Sequence, residues 1–428
     1  MIHCKTKQYA NGLTLITAPL RDTQTVTSFI LVRVGSRYEN EHNNGISHFL
    51  EHLFFKGTKK RPSTFEISQE LDGLGAKYNA FTSEESTGFY VQVASEKFAQ
   101  GWDILSDMFL NPLLPEQEIQ RERGVIIEEM KMYWDMPARY VHDLAKRQVY
   151  GNTPLGREII GTEKVIEKLQ RNDILNYRKR HYSPQNIIVV IAGKGNETEW
   201  EEAVAKSFAQ SKSARSQSPF EKAQINFSGP AVACNYKQTD QAHIVVNIPT
   251  FSITDKRWPT LDVLTNILGG QMSSRLFIEI RERRGLAYYV RATTDGFHDS
   301  GLFSISAGLR TSHVKEALAV VAEQLEKLKK ETVKKEELVR ARENIVGHLA
   351  MEMEGSFNIA SFLANQYFYR RKIKQPEEFT KEYRQVSAQD VQALARYLFE
   401  NGNIAVTTLG PLKQKQEKEL VSIFSKKI

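Results

Sequence analysis

This 428-residue sequence predicts an α+β fold built twice: two duplicated domains, each a mostly antiparallel sheet packed against helices, joined by a polar linker. Three observations predict it. The length exceeds what one compact core usually supports, so two or more domains are expected. Short β-branched runs are interleaved with amphipathic helical stretches, the mark of sheets covered by helices. The order of elements then repeats. Asn403-Ile-Ala-Val-Thr-Thr-Leu-Gly410 matches Asn186-Ile-Ile-Val-Val-Ile-Ala-Gly193 at four of eight positions, and the offset between paired features drifts only from 210 to 217 residues. Internal duplication is the simplest account. The expected domains are 1–210 and 223–428, with a Ser-rich linker over 211–222.

Taken in order, 12–17 and 25–34 read as strands, the second rich in β-branched residues. Residues 44–57 read as a helix, since Asn44 and Gly45 suit a start and Gly57 a stop. Ser63-Thr64-Phe65-Glu66 is a capping-box pattern opening a helix that ends at Gly73 or Gly75. Lys77–Ser83 and Thr87–Ala94 form a hairpin pattern. Helices are expected at about 95–110, 115–148, 162–168 and 172–182, then a buried strand at 186–193 and a helix near 197–209. The second half follows suit, with strands at 231–237 and 242–250, helices at 258–268 and 273–283, and strands at 285–294, 301–308 and 403–410.

The apolar fraction of 41% and charged fraction of 25% are those of an ordinary soluble globular chain. No apolar run reaches membrane-spanning length, so no membrane partner is expected. The N-terminus runs almost at once into the strand-like Leu13–Ala18, leaving no room for a signal peptide or transit segment. Cys4 and Cys234 are isolated, which suits a reducing compartment, and a cytoplasmic protein is the expectation. The net charge of +7 could suggest a nucleic-acid partner. The Lys-rich runs at 329–335 and 413–418 are, however, interleaved with Glu, as solvated helix faces are, so nucleic acid is not expected.

The chemistry concentrates in 44–57. Ile46, Phe49, Leu50, Leu53 and Phe54 recur at helical spacing as one apolar stripe, and His48, Glu51 and His52 fall together on the opposite face. Two His at i and i+4 can close on one metal ion, and neutral imidazole suits Zn2+. A Glu one turn away suits a general base acting on a water the metal has acidified. The order His-x-x-Glu-His inverts the commoner His-Glu-x-x-His but keeps the Glu on the ligand face. A solvent-facing polar patch is the plainer alternative. The second copy carries no such motif, so one zinc per chain is expected.

A catalytic zinc usually has three protein ligands and an open position. On the 115–148 helix Glu122 and Glu129 lie seven residues apart and share a face with Val125 and Met132, which sets them apart from ordinary solvated acids. Glu118 and Glu128 compete with Glu129, and His142, His181 and His243 are further candidates.

Three motifs, His48-Phe-Leu-Glu-His52, Glu122-Arg-Gly-Val-Ile-Ile-Glu-Glu129 and Arg281-Glu-Arg-Arg-Gly-Leu-Ala-Tyr288, resemble those of the inverted-motif zinc peptidases. That family includes pitrilysin, insulin-degrading enzyme and the mitochondrial processing peptidase. The resemblance spans nearly the whole chain, whose length is that of the short members. It implies Glu129 as third ligand, because the family's third ligand follows the second His by 77 residues. It implies Glu122 as the supporting acid. It further implies that Glu51 takes the proton of a zinc-activated water, that Tyr288 donates to the developing oxyanion, and that Arg281 holds the substrate backbone. Read alone, Arg281 and Tyr288 would be a surface Arg and a core Tyr, with Tyr289 easily confused for Tyr288.

By the same resemblance, Asn79-Ala80-Phe81-Thr82 is an exposed strand onto which an extended peptide adds. Asn79 and Ala80 would bind substrate, and unfolded or short peptides would be preferred. Phe55 would line the pocket after the scissile bond and favour an apolar residue there. Two positions that read an Arg before the cut in the processing peptidase are Arg139 and Asp143 here, so Arg specificity is not implied. That enzyme's partner glycine loop is only faintly echoed, by Leu268-Gly269-Gly270.

The sequence therefore predicts a zinc metalloendopeptidase degrading unfolded peptides in an enclosed chamber. The chain is half the length of the family's long enzymes, so a homodimer is expected, with a heterodimer of related subunits as the alternative. The rivals are a processing subunit that needs a different partner chain, and a non-catalytic metal-binding assembly subunit. A closed structural site would want a fourth ligand, and no nearby Cys or His offers one.

Overall fold

The computed structural model describes residues 2–213, 220–400 and 402–425. Residues 214–219, the middle of the expected linker, lie outside the described residues. The chain forms two compact units that do not follow its linear halves. The first takes residues up to Met130, Glu158–Glu221 and Ala350–Gln375; the second takes Lys131–Arg157, Lys222–Leu349 and the chain from Pro376 onward.

In chain order the first half gives β1 (Lys5–Gln8), β2 (Thr14–Pro19), β3 (Thr25–Val32), α1 (Ile46–Leu53), α2 (Thr64–Gly73), β4 (Lys77–Thr82), β5 (Thr87–Ala94) and α3 (Phe98–Leu110). There follow α4 (Glu116–Trp134), α5 (Pro137–Tyr150), α6 (Glu163–Ile166), α7 (Arg171–His181), β6 (Ile187–Gly193) and α8 (Glu197–Ser207). The capping box at Ser63 and Glu66 forms as the sequence predicts. The single helix expected over 115–148 does not. It breaks before Pro137, which supplies no N–H and holds Met136 at φ −111°, ψ 80°, outside the helical region. The fully exposed β1 escaped the sequence reading because it has no buried face to pattern.

The second half gives β7 (Ala231–Tyr236), β8 (Ala242–Thr250), α9 (Trp258–Thr265), β9 (Ala287–Gly296), β10 (Gly301–Leu309), α10 (Val314–Lys330) and α11 (Lys335–Glu352). It ends with α12 (Ser356–Arg370), α13 (Pro376–Gln385), α14 (Ala388–Phe399), β11 (Ala405–Gly410) and α15 (Glu417–Ser425). The expected helices at 258–268 and 273–283 are partly π-helical, over Asn266–Gly270 and Phe277–Glu282. On α10 the Lys-rich run is a solvated face laced by the i,i+4 pairs Glu323–Lys327 and Glu326–Lys330.

Sheet one runs β1-β2-β6-β3-β5-β4, and sheet two β7-β11-β8-β10-β9. Both are mostly antiparallel, with one parallel pair each, β2 on β6 and β7 on β11. The sheets thus share one topology, with β1 added to the first. Alternation along β5 gives sheet one two faces. Phe89 meets Phe54 of α1's end and Phe109 of α3, while Tyr90 meets Phe357 of α12. On that second face Ile359, Leu363 and Phe368 pack on Phe29, Leu31, Ile188 and Val190. Ser356 at the start of α12 bonds the hydroxyls of Thr25 and Thr27 at 2.8 and 2.9 Å. Sheet two is covered in the same way by α5, whose Val141 and Ala145 pack on Val245 and Leu409. Among the described residues no helix is long and apolar enough to cross a membrane.

Candidate metal centre

α1 forms as its apolar stripe dictates, with Ile46, Phe49, Leu50 and Leu53 all buried. Gly45 precedes it at φ 98°, a conformation that favours glycine, and an added Cβ there would stand 2.6 Å from the Ile160 carbonyl oxygen. The first turn is capped from a distance. The buried Glu39 carboxylate accepts from the Gly45 and Ser47 amides at 2.7 and 2.8 Å, and from the Asn44 side chain at 3.0 Å. Burial raises the Glu39 carboxyl, and the bonds from Gly45, Ser47 and Asn44 oppose that. Sequence reasoning missed Glu39, for nothing local marks a cap six residues upstream.

The opposite face of α1 presents His48 and His52, with ring centroids 4.6 Å apart. α4 brings Glu129 to them: its Oε2 lies 3.7 Å from His48 Nε2 and 3.5 Å from His52 Nε2. These three offer ligand atoms all within 4.8 Å of one another, the only such group of three or more among the described residues. Atoms around a tetrahedral ion with bonds of about 2.1 Å stand about 3.4 Å apart, so the set fits one zinc. Two imidazoles and a carboxylate are also the donor types of a catalytic rather than a closed site. Neither His142, His181 nor His243 joins the group, and Glu118 and Glu128 do not either.

Glu122 acts behind the ligands. Its Oε2 lies 3.1 Å from His52 Nδ1, which leaves Nε2 for a metal, and its Oε1 meets Lys56 Nζ at 2.7 Å. Burial opposes ionisation of Glu122, yet His52 and Lys56 hold its carboxyl below the usual range. Burial likewise pushes His52 down, but Glu122, Glu51 and Glu129 together outweigh it and raise the imidazole. The apolar alignment expected around these acids is corrected: Val125 and Met132 are half exposed, and the buried face of α4 is Ile119, Glu122, Ile126 and Met130. On the helical wheel Val125 and Met132 fall on the flank, one step past the glutamates.

Glu51 sits three residues after His48 and one before His52, part-buried, its Oε2 accepting from Thr82 Oγ1 at 2.5 Å. Burial raises its carboxyl, the Thr82 hydroxyl and His52 oppose that, and Glu129 adds to it. Thr82 ends β4, an edge strand of sheet one. The Ser83 amide bonds Ser86 across the turn, so by alternation Asn79 and Phe81 pair with β5 while Tyr78, Ala80 and Thr82 turn their backbone groups to the open edge. The Ala80 amide accordingly donates to its neighbour Asn79 Oδ1 at 2.9 Å rather than across the sheet. Phe55 follows α1 and lies against Tyr78, their ring centroids 6.5 Å apart.

Residues 15–163 match the model of insulinase (peptidase family M16), and residues 168–345 match the peptidase M16 inactive domain. The chain belongs to peptidase family M16. An uncharacterized zinc protease of Streptomyces coelicolor is 33% identical over 414 residues, covering 96% of this chain and 90% of the relative. One of Bacillus subtilis is 33% identical, covering 91% and 94%. One of Rickettsia bellii is 34% identical, covering 94% and 96%. A protease from Helicobacter pylori has the same fold, with a TM-score of 0.88 at 23% identity, covering 96% of this chain and all of that one.

The expected pair Arg281 and Tyr288 lies in the second unit of this M16 chain. Arg281 stands 4.8 Å over the Phe277 ring and 5.9 Å from the Tyr288 ring, so the two candidates are neighbours. Tyr288 is 77% exposed, free of the core role the residue type alone suggests. Tyr289 takes that inner role, its hydroxyl 3.1 Å from His243 Nδ1. Arg139 on α5 stacks on the Tyr133 ring. Besides Glu39, the sequence did not single out Lys56, and it placed Thr82 only in the expected substrate strand, with no link to Glu51. The four-residue separation of Lys56 from His52 and the 31-residue separation of Thr82 from Glu51 do not signal these contacts, which only the packing of α1 on α4 and β4 reveals.

Proposed function

We propose that the chain is a zinc endopeptidase that hydrolyses unfolded or short peptides laid along the open edge of β4. The observation that carries this reading is the His48, His52 and Glu129 cluster with Glu51 on the same helix face, beside an unpaired strand edge. One zinc per chain fits the single cluster. Bound there, zinc supplies Lewis-acid polarisation of a peptide carbonyl and makes a water acidic enough to react near neutrality.

Glu51 takes the proton of the attacking water and passes it to the departing amine. An extended substrate pairs with the backbone of Tyr78, Ala80 and Thr82, which only an unfolded segment can do. Phe55 and Tyr78 offer an apolar wall for a side chain beyond the cut. In the same proposal, by the resemblance of their motif, Tyr288 serves the oxyanion and Arg281 the substrate backbone. An enclosed chamber completed by a second copy of this chain in the cytoplasm is part of the same proposal.

The test is cleavage of quenched unfolded peptides by the wild type and by Glu51→Gln, with zinc measured in both. The expected result is chelator-sensitive cutting by the wild type. The variant should keep its zinc and lose about 10²–10⁴-fold in kcat. A zinc-loaded wild type that cuts nothing, at any concentration at which light scattering shows a dimer, would overturn the reading.

A further inference from the structure

Glu51 has three rotatable side-chain bonds, and a base that must meet one water in one direction needs them fixed. Nothing on α1 itself does this. The fixing group comes from the sheet: Thr82 Oγ1 donates to Glu51 Oε2 at 2.5 Å, from a residue whose side chain shares the inward face of β4 with Tyr78 and Ala80. The same residue turns its backbone groups to the open edge. Thr82 thus touches both the base and the surface on which a peptide would lie.

We propose that Thr82 is the positioning residue of the general base, committing Glu51 Oε2 to its hydroxyl so that Oε1 is the oxygen that receives the water's proton. This rests on the peptidase reading above. In the step, the water O–H bond breaks as its oxygen bonds the carbonyl carbon, and the proton goes to Glu51 Oε1. When the C–N bond breaks, that proton passes to the amine nitrogen; the Thr82 hydroxyl keeps its own proton throughout. The geometry also ties two events together. A peptide pairing with the backbone of Thr82 orders the residue that orders the base, so strand addition and base alignment share one anchor.

The experiment uses full-length protein with Thr82→Val, which keeps shape and strand propensity while removing the hydroxyl, and Thr82→Ser, which restores it. Thr82→Val should lower kcat about 10–100-fold with KM within about 2-fold. Zinc affinity by chelator competition and thermal midpoint should match the wild type. Thr82→Ser should recover most of the loss. In a Glu51→Gln background, adding Thr82→Val should change kcat no further, because the group it positions is gone. An active wild type matched in kcat by Thr82→Val would overturn this assignment alone, as would a loss confined to KM. A zinc-loaded wild type that cuts nothing would overturn the peptidase reading and this one together.

Discussion

Set the two units side by side and, among the described residues, the same plan yields one candidate metal centre, in the first unit. Sheet two repeats the strand order of sheet one without β1, and the helices follow at matching intervals. α1 starts at Ile46 and α9 at Trp258, an interval that carries His48, Glu51 and His52 onto Thr260, Val263 and Leu264. Val263 and Leu264 are fully buried. α4 and α11 correspond likewise, and Ala341, also fully buried, stands where α4 has Glu122. In the second unit the corresponding face is core. Its fold survives because sheets and covering helices need only apolar area. A metal centre needs particular atoms a few ångströms apart, and those lie on one helix pair in one unit.

The comparison breaks most completely at the ligands. His52→Ala should abolish zinc binding and peptide cleavage, while Leu264→Ala in the second unit should leave zinc content untouched and cost about 2–5 kcal/mol of stability. Metal analysis beside thermal unfolding separates the two; equal zinc in His52→Ala would contradict the ligand set.

A second test concerns independence. Residues 1–210 expressed alone lack α12 and leave Phe29, Leu31, Ile188 and Val190 uncovered. They should bind a hydrophobic dye and show no sharp thermal transition, and a peptide spanning 350–375 should restore one. A cooperative melt without the peptide would show that sheet one does not need α12.

Smaller effects sharpen the picture around His52. Glu122→Gln should weaken zinc affinity about 10–100-fold by chelator competition. Lys56→Met should weaken it less, with Lys56→Arg close to wild type. An unchanged affinity in Glu122→Gln would remove it from the support of the site.

The smallest expected effect is a pH dependence of the first unit. Burial, and then Arg180, pull His181 from its usual range down to about 4. The unfolded chain therefore binds this proton first as pH falls. The contribution is fully present above about pH 6.5 and is lost progressively toward pH 4, roughly 1–2 kcal/mol by pH 5 after allowance for solvent screening. Denaturant unfolding of wild type and His181→Gln at pH 7.5 and 5 should show the variant losing less.

Much of this was legible beforehand, for reasons that can be named. The stripe Ile46, Phe49, Leu50, Leu53 and the capping box at Ser63 are local signals, and local structure obeyed them. The candidate ligands His48 and His52 share a motif. Glu129 needed the family resemblance, since its face carries no apolar signature of its own. The break before Pro137 was written in the sequence, but the helical periodicity on either side masked it. Glu39 and Lys56 were not legible at all, and Thr82 was legible only as part of the substrate strand, not as a partner of Glu51. Each acts across a fold-made contact, on Gly45 and Ser47, on Glu122, and on Glu51.

One feature of the fold also bears on ancestry. α5, from the first copy, covers sheet two, and α12, its counterpart about 219 residues on, covers sheet one. A single-copy forebear had no sister segment from which to receive that helix. It would have completed its sheet by swapping helices with an identical molecule, as an obligate pair. Fusing two such genes would turn an encounter between molecules into one within a chain, at millimolar effective concentration and independent of expression level. Released from having to serve both roles, one copy could let its metal helix drift into core while the other kept the chemistry.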